Sequence, residues 1–395
     1  MTDRGRQRWR RVGIASGAAT LCVLVVGAAI MASYRATLLD EAERELGLLL
    51  TLRRSALETG LEQIQSEMAL WSDFGQLKES MGLYAAAFEA LGPEARARLR
   101  RWYIDDNPFP PGDRYQLLDA GDGSTYTALH AERQPRTALF LENHRYFDVF
   151  TIGPDGDVLY TYEKQDDFGT NLLSGPGSDT GLASVFRAAR DAADPAYVVV
   201  SDLVRYAPSG GMPSIFVASA STSDAGELVG VLAAQVSGTQ LSRIFEFTEG
   251  MGRSGETYAV GDDLLLRSDS RFTEPEDVLS LTVDTESVRR ALSGETGVHR
   301  STDYRNEDVV SAFGILEFQG IRWAIVAEKD VAEILAPGRR LRAILLLTGL
   351  VVVVLVGLGA LPERTSSAWL RAPDFSHETA DSADRAGGRE GGISR

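Results

Sequence analysis

The chain has 395 residues, with 56 acidic against 40 basic side chains and a formal net charge of −16. That length accommodates two domains of ordinary size, and an apolar share of 44% with 24% charged residues excludes a disordered or fibrous chain. Charge is unevenly placed: residues 1–11 carry +4 and residues 362–395 carry −1, which leaves −19 on the residues between. Affinity for phosphate backbones rests on Lys and Arg, so such a region excludes nucleic acid as a partner.

The chain opens with a basic stretch (residues 1–11) in which Arg4, Arg6, Arg8, Arg10 and Arg11 stand against Asp3. An uncharged run follows from Val12 to Tyr34. Wound as a helix at about 1.5 Å per residue, this run crosses a hydrocarbon layer of about 30 Å. The flanking arginines place the N-terminus in the cytoplasm. A cleaved signal peptide is the alternative, against which stand the length of the run and the absence of a clear small-x-small cleavage site. Cys22, the single cysteine, falls inside this run, so the rest of the chain is held without disulfides, as suits a periplasmic domain with an adequate core.

From residue 35 a long stalk helix is expected, with Leu50, Leu57, Leu61, Ile64, Met68 and Trp71 at spacings of three, four and seven. It can pair with a second copy or pack on its own domain. A further helical region runs from Leu77 to Trp102 and stops at Asn107-Pro108-Phe109-Pro110-Pro111-Gly112. A pattern of strands and hairpins then occurs twice. The first copy begins with two apolar strands from Tyr146 to Tyr160 around a Pro154-Asp155-Gly156 turn. A helix at Gly181 to Ala192 follows, then strands at Tyr197 to Asp202, Ser214 to Ser221 and Leu228 to Ser237. The second begins at Thr257 to Asp269, continues with a helix at Glu286 to Leu292, and adds strands at Gly297 to Asp303, Asp308 to Phe313 and Trp323 to Glu328.

The fold class is therefore α+β: two tandem PAS-like modules on a long N-terminal stalk helix, flanked by two transmembrane helices. The second span is expected over 343–361, where a Leu/Val run is too uniformly apolar for one face of a soluble helix. Arg339, Arg340 and Arg342 then lie on the outer side, against the positive-inside bias, which is weighted toward the first helix. The expected organisation is a cytoplasmic N-terminus at 1–11 and a first span at 12–34. Stalk and accessory helices occupy 35–112, a membrane-distal module 113–245 and a membrane-proximal module 246–342. The second span and a disordered cytoplasmic tail over 362–395 complete it.

This arrangement resembles the double Cache domain, the extracytoplasmic sensor of bacterial chemoreceptors, histidine kinases and nucleotide cyclases. The resemblance rests on the stretches Tyr103 to Arg114, Asp119 to Ser124, Asp167-Phe168-Gly169-Thr170-Asn171-Leu172, Gly255 to Gly261, Arg267 to Phe272 and Thr302 to Arg305. Together they cover most of residues 40–335. It implies a multi-pass protein of the inner membrane whose periplasmic domain binds a small molecule in its distal module. The tail has no room for a signalling coiled coil, kinase core or cyclase, so the expected function is a sensor without its own output domain that acts with a separate transmitter protein. An envelope protein that binds another protein through its outer domain is the alternative, and a homodimer through the stalk fits either.

Catalysis is not expected. His130, His144, His299 and His377 are scattered, with no zinc or phosphate-loop spacing. No serine elbow occurs, and Asp119-Ala120-Gly121-Asp122-Gly123 lacks the carboxylate spacing of a calcium loop and reads as a turn. No cofactor and no metal are expected. In amine and amino-acid receptors of the superfamily an Arg-x-Trp-Tyr element and a later Asp clamp the ligand. Arg101-Trp102-Tyr103 lacks the spacer and is not carried over. Asp202, four residues before Tyr206, stands near the place of the late Asp, where it would pair with a ligand ammonium among aromatic rings or cap a turn. Tyr160, Tyr162, Phe168 and Asn171 complete the expected ligand set, each with packing as its alternative role. Arg267, Asp269 and Arg271 are expected to form a salt-bridged turn in the second module.

Overall fold

The computed structural model describes residues 3–359, apart from 145, 247–249 and 274–276. The tail expected over 362–395, and residues 360–361 of the second expected span, lie outside the described residues. Two units are distinguished, Met1–Ala29 with Ala343–Arg395, and Ile30–Arg342.

In the first unit lie the N-terminal part of α1 (Asp3–Ser72) and most of α9 (Ala336–Gly359). Leu21, Leu24, Leu347 and Leu355 are each about 60% exposed. A Cβ at Gly349 would stand 3.2 Å from Val23 Cγ1, so the two helices meet closely there. Among the described residues, one helix is long and apolar enough to cross a membrane, from Ser16 onward; α9 does not meet that measure within its described part.

The second unit is organised by two antiparallel sheets. The first contains β1 (Asp148–Ile152), β2 (Val158–Thr161), β3 (Val198–Val200), β4 (Val204–Tyr206), β5 (Met212–Thr222) and β6 (Leu228–Ser237), in the order β2-β1-β6-β5-β3 with β4 also on β5. The second contains β7 (Glu256–Gly261), β8 (Gly297–Thr302), β9 (Asp308–Phe318) and β10 (Ile321–Asp330), in the order β7-β10-β9-β8. The two paths coincide strand for strand if β7 stands for β1. The place of β2 is held in the second sheet by the bridge of Leu266 to Val260, so the hairpin expected over 257–269 keeps one full strand. Leu264 turns there with a φ of 63°, and the chain leaves the ladder.

Each sheet carries a helix between its outer and inner strands. Helix α5 (Gly181–Ala192) begins where Thr180 accepts from the Ala183 N–H at 3.3 Å. Helix α7 (Glu286–Leu292) begins where Thr285 does the same for Val288. Helix α5 lays Leu182, Val185, Phe186 and Ala189 on Phe150, Phe216 and Ala233 of the first sheet. A Cβ at Gly181 would come within 2.9 Å of Val204, which requires glycine at that approach.

The opposite faces are covered by the long helix. Ala42, Leu46, Leu50, Leu57, Leu61 and Met68 of α1 are all buried, a single stripe at spacings of four and seven. The stripe therefore serves packing against the chain's own sheets. Leu50 lies beside Gly314 of β9, and Glu67 accepts from Tyr146 at 2.9 Å just before β1. The helical region expected from Leu77 to Trp102 divides into α2 (Gly75–Ala90), α3 (Ala95–Arg100) and a π-helical turn at Arg101–Asp105. The break falls at Gly92, whose φ is 75°, and Pro93. Helix α4 (Thr125–His144) was not expected. Ser124 accepts from the Thr127 N–H at its start, directly after the Asp119 turn, in which Asp119 accepts from the Gly121 N–H at 2.7 Å.

Below the second sheet, Glu333 of the short α8 (Val331–Ile334) accepts from the backbone N–H groups of Arg253 (3.0 Å) and Ser254 (2.7 Å) and from the Ser254 hydroxyl (2.5 Å). Burial is the largest single influence and opposes the charged form, but these hydrogen bonds together, with Lys329 nearby, outweigh it and hold the carboxyl down at about 2. The contribution is complete above the unfolded value near 4.3 and is lost as pH falls toward 2. Glu333→Gln should cost about 1 kcal/mol at pH 7, because the site is largely solvent-screened. In urea titrations, the difference from the parent chain should vanish near pH 2.

Candidate ligand cavity

A cavity of about 450 Å³ opens between the first sheet and the helices over it. Its floor is the helix-facing side of the sheet, with Val149 and Thr151 of β1, Tyr160 of β2 and Leu232 of β6. Alternation explains the set: Phe150 and Ile152 point to the other face, beneath α5. The walls are the end of α1 with Met68 and Trp71, α2 with Leu77 and Tyr84, and α4. On α4, Arg133, Thr137, Phe140 and His144 follow at three- and four-residue spacing and face one way.

One end of this cavity is aromatic and the other carries donors. Trp71 packs on Phe140 (4.3 Å between centroids), His144 (4.7 Å) and Tyr146 (5.1 Å). Arg133 and Arg136 stand 3.7 and 3.5 Å from the same Glu132 carboxylate oxygen, and His144 stands 3.5 Å from Glu67. The Nε of Arg133 is buried with no protein hydrogen-bond partner, and so is the Tyr84 hydroxyl on a residue 3% exposed. Burial raises the Tyr84 pKa, with Arg133 nearby acting against the rise, so the hydroxyl stays protonated.

Behind Tyr84 and Tyr160, whose rings are 4.9 Å apart, lies a sealed polar chamber. Lys164 is fully buried there. Its Nζ donates to the Thr161 carbonyl and to Gln134 Oε1, and lies over the rings of Tyr160 (4.3 Å), Phe168 (5.2 Å) and Tyr103 (5.9 Å). Burial pushes the amine down to about 7, against the pull of Asp148, Glu163 and Asp167. Asp148 accepts from the N–H groups of Val149 and Tyr162 at 2.7 Å, leaves its Oδ2 without a partner, and is raised by burial. Asp167 accepts from the Tyr206 hydroxyl at 2.6 Å and is pushed up to about 6 by burial. Burial likewise lowers His130, whose Nδ1 bonds to the Leu118 carbonyl at 2.9 Å.

The six residues singled out in the sequence fall in three places. Tyr160 lines the cavity and donates to Gln134 Oε1 at 2.6 Å. Phe168 and Tyr206 belong to the chamber, and Tyr162 stacks on Tyr115 at 5.2 Å beside it. The ammonium among those rings is the chain's own. Asn171 clamps the β1–β2 turn, donating to the Asp155 carbonyl (2.9 Å) and Asp157 (2.8 Å). Asp202 bridges to the second sheet, accepting from Trp323 Nε1 at 2.7 Å and Arg267 Nη2 at 3.0 Å. Of the turn expected from Arg267, Asp269 and Arg271, Arg267 pairs with Asp202 and Asp263, and Arg271 donates to the Gly252 and Gly255 carbonyls. Sequence reasoning missed Trp71, Tyr84, Arg133 and Phe140 as cavity residues. The stripe 133, 137, 140, 144 would have shown Arg133 and Phe140 had α4 been read as a helix.

No protein-family model matches the chain, and no curated protein matches it. Solved structures do. A ligand-binding domain of the amino-acid chemoreceptor PctC of Pseudomonas aeruginosa, in complex with GABA, is 15% identical over 72% of this chain and 98% of its own, with a TM-score of 0.37. A ligand-binding domain of the Campylobacter jejuni chemoreceptor Tlp3, in complex with L-norvaline, is 14% identical over 75% and 94%, with a TM-score of 0.41. A domain of a sensory box/GGDEF-family protein from Vibrio parahaemolyticus is 11% identical over 75% and 99%, with a TM-score of 0.46. The first two are chemoreceptor ligand-binding domains, the class to which the sequence resemblance pointed.

Proposed function

We propose that the chain is a membrane-anchored, extracytoplasmic small-molecule sensor, the input part of a signal-transduction receptor. The observation that carries this reading is the cavity of about 450 Å³ between the first sheet and the helices α1, α2 and α4. Its size lies in the range of small-molecule sites, and its walls are mainly apolar with a few polar groups. Two of its walls belong to elements that continue away from it: α1 runs back to the apolar N-terminal segment, and the first sheet meets the second through Asp202.

Membrane anchoring is part of the same proposal. The apolar side chains exposed on α1 and α9 call for lipid around them. With five arginines before the first span, the sensor region lies outside the cytoplasm, and α9 makes the protein multi-pass. The modules at 113–245 and 246–342 are then distal and proximal, and a separate transmitter protein is the partner that takes up the signal.

Binding to the folded state raises apparent stability, by about 2.7 kcal/mol at a ligand concentration 100 times the dissociation constant. A thermal-shift screen of the full chain in lipid nanodiscs should therefore yield a stabilising small molecule. Leu232→Trp, which fills the cavity from its floor, should abolish the shift while the far-UV spectrum is retained. A shift that survives Leu232→Trp would move the site elsewhere.

A further inference from the structure

The cavity has a chemical polarity that narrows its ligand, and the inference rests on the cavity being the sensor's binding site. Two buried groups of residues that line it have no protein hydrogen-bond partner, the Tyr84 hydroxyl and Arg133 Nε, the second of which stands 3.7 Å from the Glu132 carboxylate. Arg is donor-only, and a protonated phenol beside it offers its hydrogen as well. A buried donor left without an acceptor is costly, so the missing partner is an acceptor. The surroundings favour a charged one. Arg133 and Arg136 share one carboxylate, Glu132, at 3.7 and 3.5 Å, which leaves positive charge in excess at this wall of a strongly acidic region. Glu67, the other carboxylate nearby, is taken at the far end by Tyr146 and His144.

The remainder of the wall is apolar. Trp71, Phe140 and Leu77 face Val149 and Leu232 across the cavity. From Arg133 to His144 the α4 wall extends about 16 Å at 1.5 Å per residue. We propose that the cavity takes an amphipathic carboxylate, its anionic head on Arg133 and Tyr84 with Arg136 at the rim, and its aromatic or aliphatic body against Trp71 and Phe140. The head would supply the acceptor that the buried Tyr84 hydroxyl lacks and a closer anion for Arg133 than Glu132 at 3.7 Å, and the body would bury apolar surface next to rings already packed for it.

Three probes with one body and different heads test this: 4-phenylbutyrate, 4-phenylbutylamine and 4-phenylbutan-1-ol. They are titrated calorimetrically into the full chain in phosphatidylcholine nanodiscs, with empty nanodiscs subtracted. The carboxylate should bind at least about tenfold more tightly than either of the others, the usual effect of a charge-assisted hydrogen bond. Arg133→Gln should remove that preference while leaving the affinity for the alcohol unchanged. Tyr84→Phe, which deletes one hydroxyl and keeps the ring, should weaken the carboxylate several-fold, and thermal melts should show both variants folded. Equal binding of all three probes, tighter binding of the amine, or a preference untouched by Arg133→Gln would overturn the ligand class and leave the sensor reading standing. Failure of all three to bind would likewise overturn the ligand class, whereas the sensor reading falls only if the thermal-shift screen yields no ligand sensitive to Leu232→Trp.

Discussion

Asp202→Ala should lower the stability of the chain by about 2 kcal/mol and loosen the two sheets from each other. Asp202 sits between β3 and β4, and its carboxylate accepts from Trp323 Nε1 at 2.7 Å and from Arg267 at 3.0 Å. Trp323 is a fully buried residue of β10, and the Arg267 side chain is 4% exposed. Removing the acid leaves an indole N–H unpartnered and a buried guanidinium with one carboxylate fewer. Breaking a fully buried pair costs about 3–5 kcal/mol. The value here is lower because Asp263 remains 2.8 Å from Arg267 and Asp202 is itself 40% exposed. Asp202→Asn keeps an acceptor for Trp323 and loses the charge, so it should cost about half as much. A double-mutant cycle of Asp202→Ala with Trp323→Phe should give a coupling of about 1 kcal/mol. Strict additivity would mean that the two side chains do not hold the sheets together. Ligand-induced stabilisation should persist in both single variants, since neither residue lines the cavity.

What the sequence allowed to be read divides along the range of the interactions involved. Helices α5 and α7 and strand β6 were placed at their observed ends because each is bounded by local chemistry. Thr180 and Thr285 cap the helices, and Gly226 and Gly238 flank the strand. The stripe on α1 was equally legible, since Leu57, Leu61 and Met68 repeat with the period of the helix that buries them. Helix α4 was not, because its pattern is set by two surfaces at once. Pro135 interrupts it, and His130 and Gln134 occupy buried positions as polar anchors for Leu118, Tyr115 and Tyr162. A polar residue that is buried to bond a loop carries no periodic signal.

The site divides in the same way. Tyr160 and Phe168 were expected in the ligand set as residues flanking one cavity with Asp202, and the structure does gather rings and carboxylates around them. It fills the space with Lys164, a residue that nothing in the local sequence marks as buried. The open cavity lies one ring further out and depends on Trp71, Tyr84 and Arg133, from three separate helices. Such a site exists only through tertiary packing, and spacing along the chain does not reveal it. Asp202 illustrates the converse: its type and position suggested a ligand clamp, while its partners Arg267 and Trp323 lie 65 and 121 residues away.

Lys164→Met should raise stability by about 2 kcal/mol at pH 6.5, and the gain should fade toward pH 10. Replacing a buried charge by an apolar side chain of similar volume is often stabilising by about 1–4 kcal/mol. Part of the gain is offset here by the lost contacts to Gln134, the Thr161 carbonyl and the Tyr160 ring. The pH dependence follows from the shift. Burial lowers the amine to about 7, whereas in the unfolded chain it titrates near 10.4. Below pH 7 both states hold the proton, and the folded chain bears the full cost of burying it. Between about 7 and 10 the unfolded chain holds more protons, so this group makes stability rise with pH. Asp167, raised by burial to about 6, and Glu163, raised by burial to about 7, run the other way. Each favours the folded state when protonated, and that advantage is lost as pH climbs from about 4 through those values. Asp148 is shifted in the same direction by burial. The chamber as a whole therefore contributes least between pH 6 and 7. In guanidinium titrations across pH 5 to 10, the parent chain should show a shallow minimum there, which Lys164→Met should lift and Lys164→Arg, always charged, should deepen on the alkaline side. A gain from Lys164→Met that is constant across this range would mean that the amine titrates normally and that the chamber admits water.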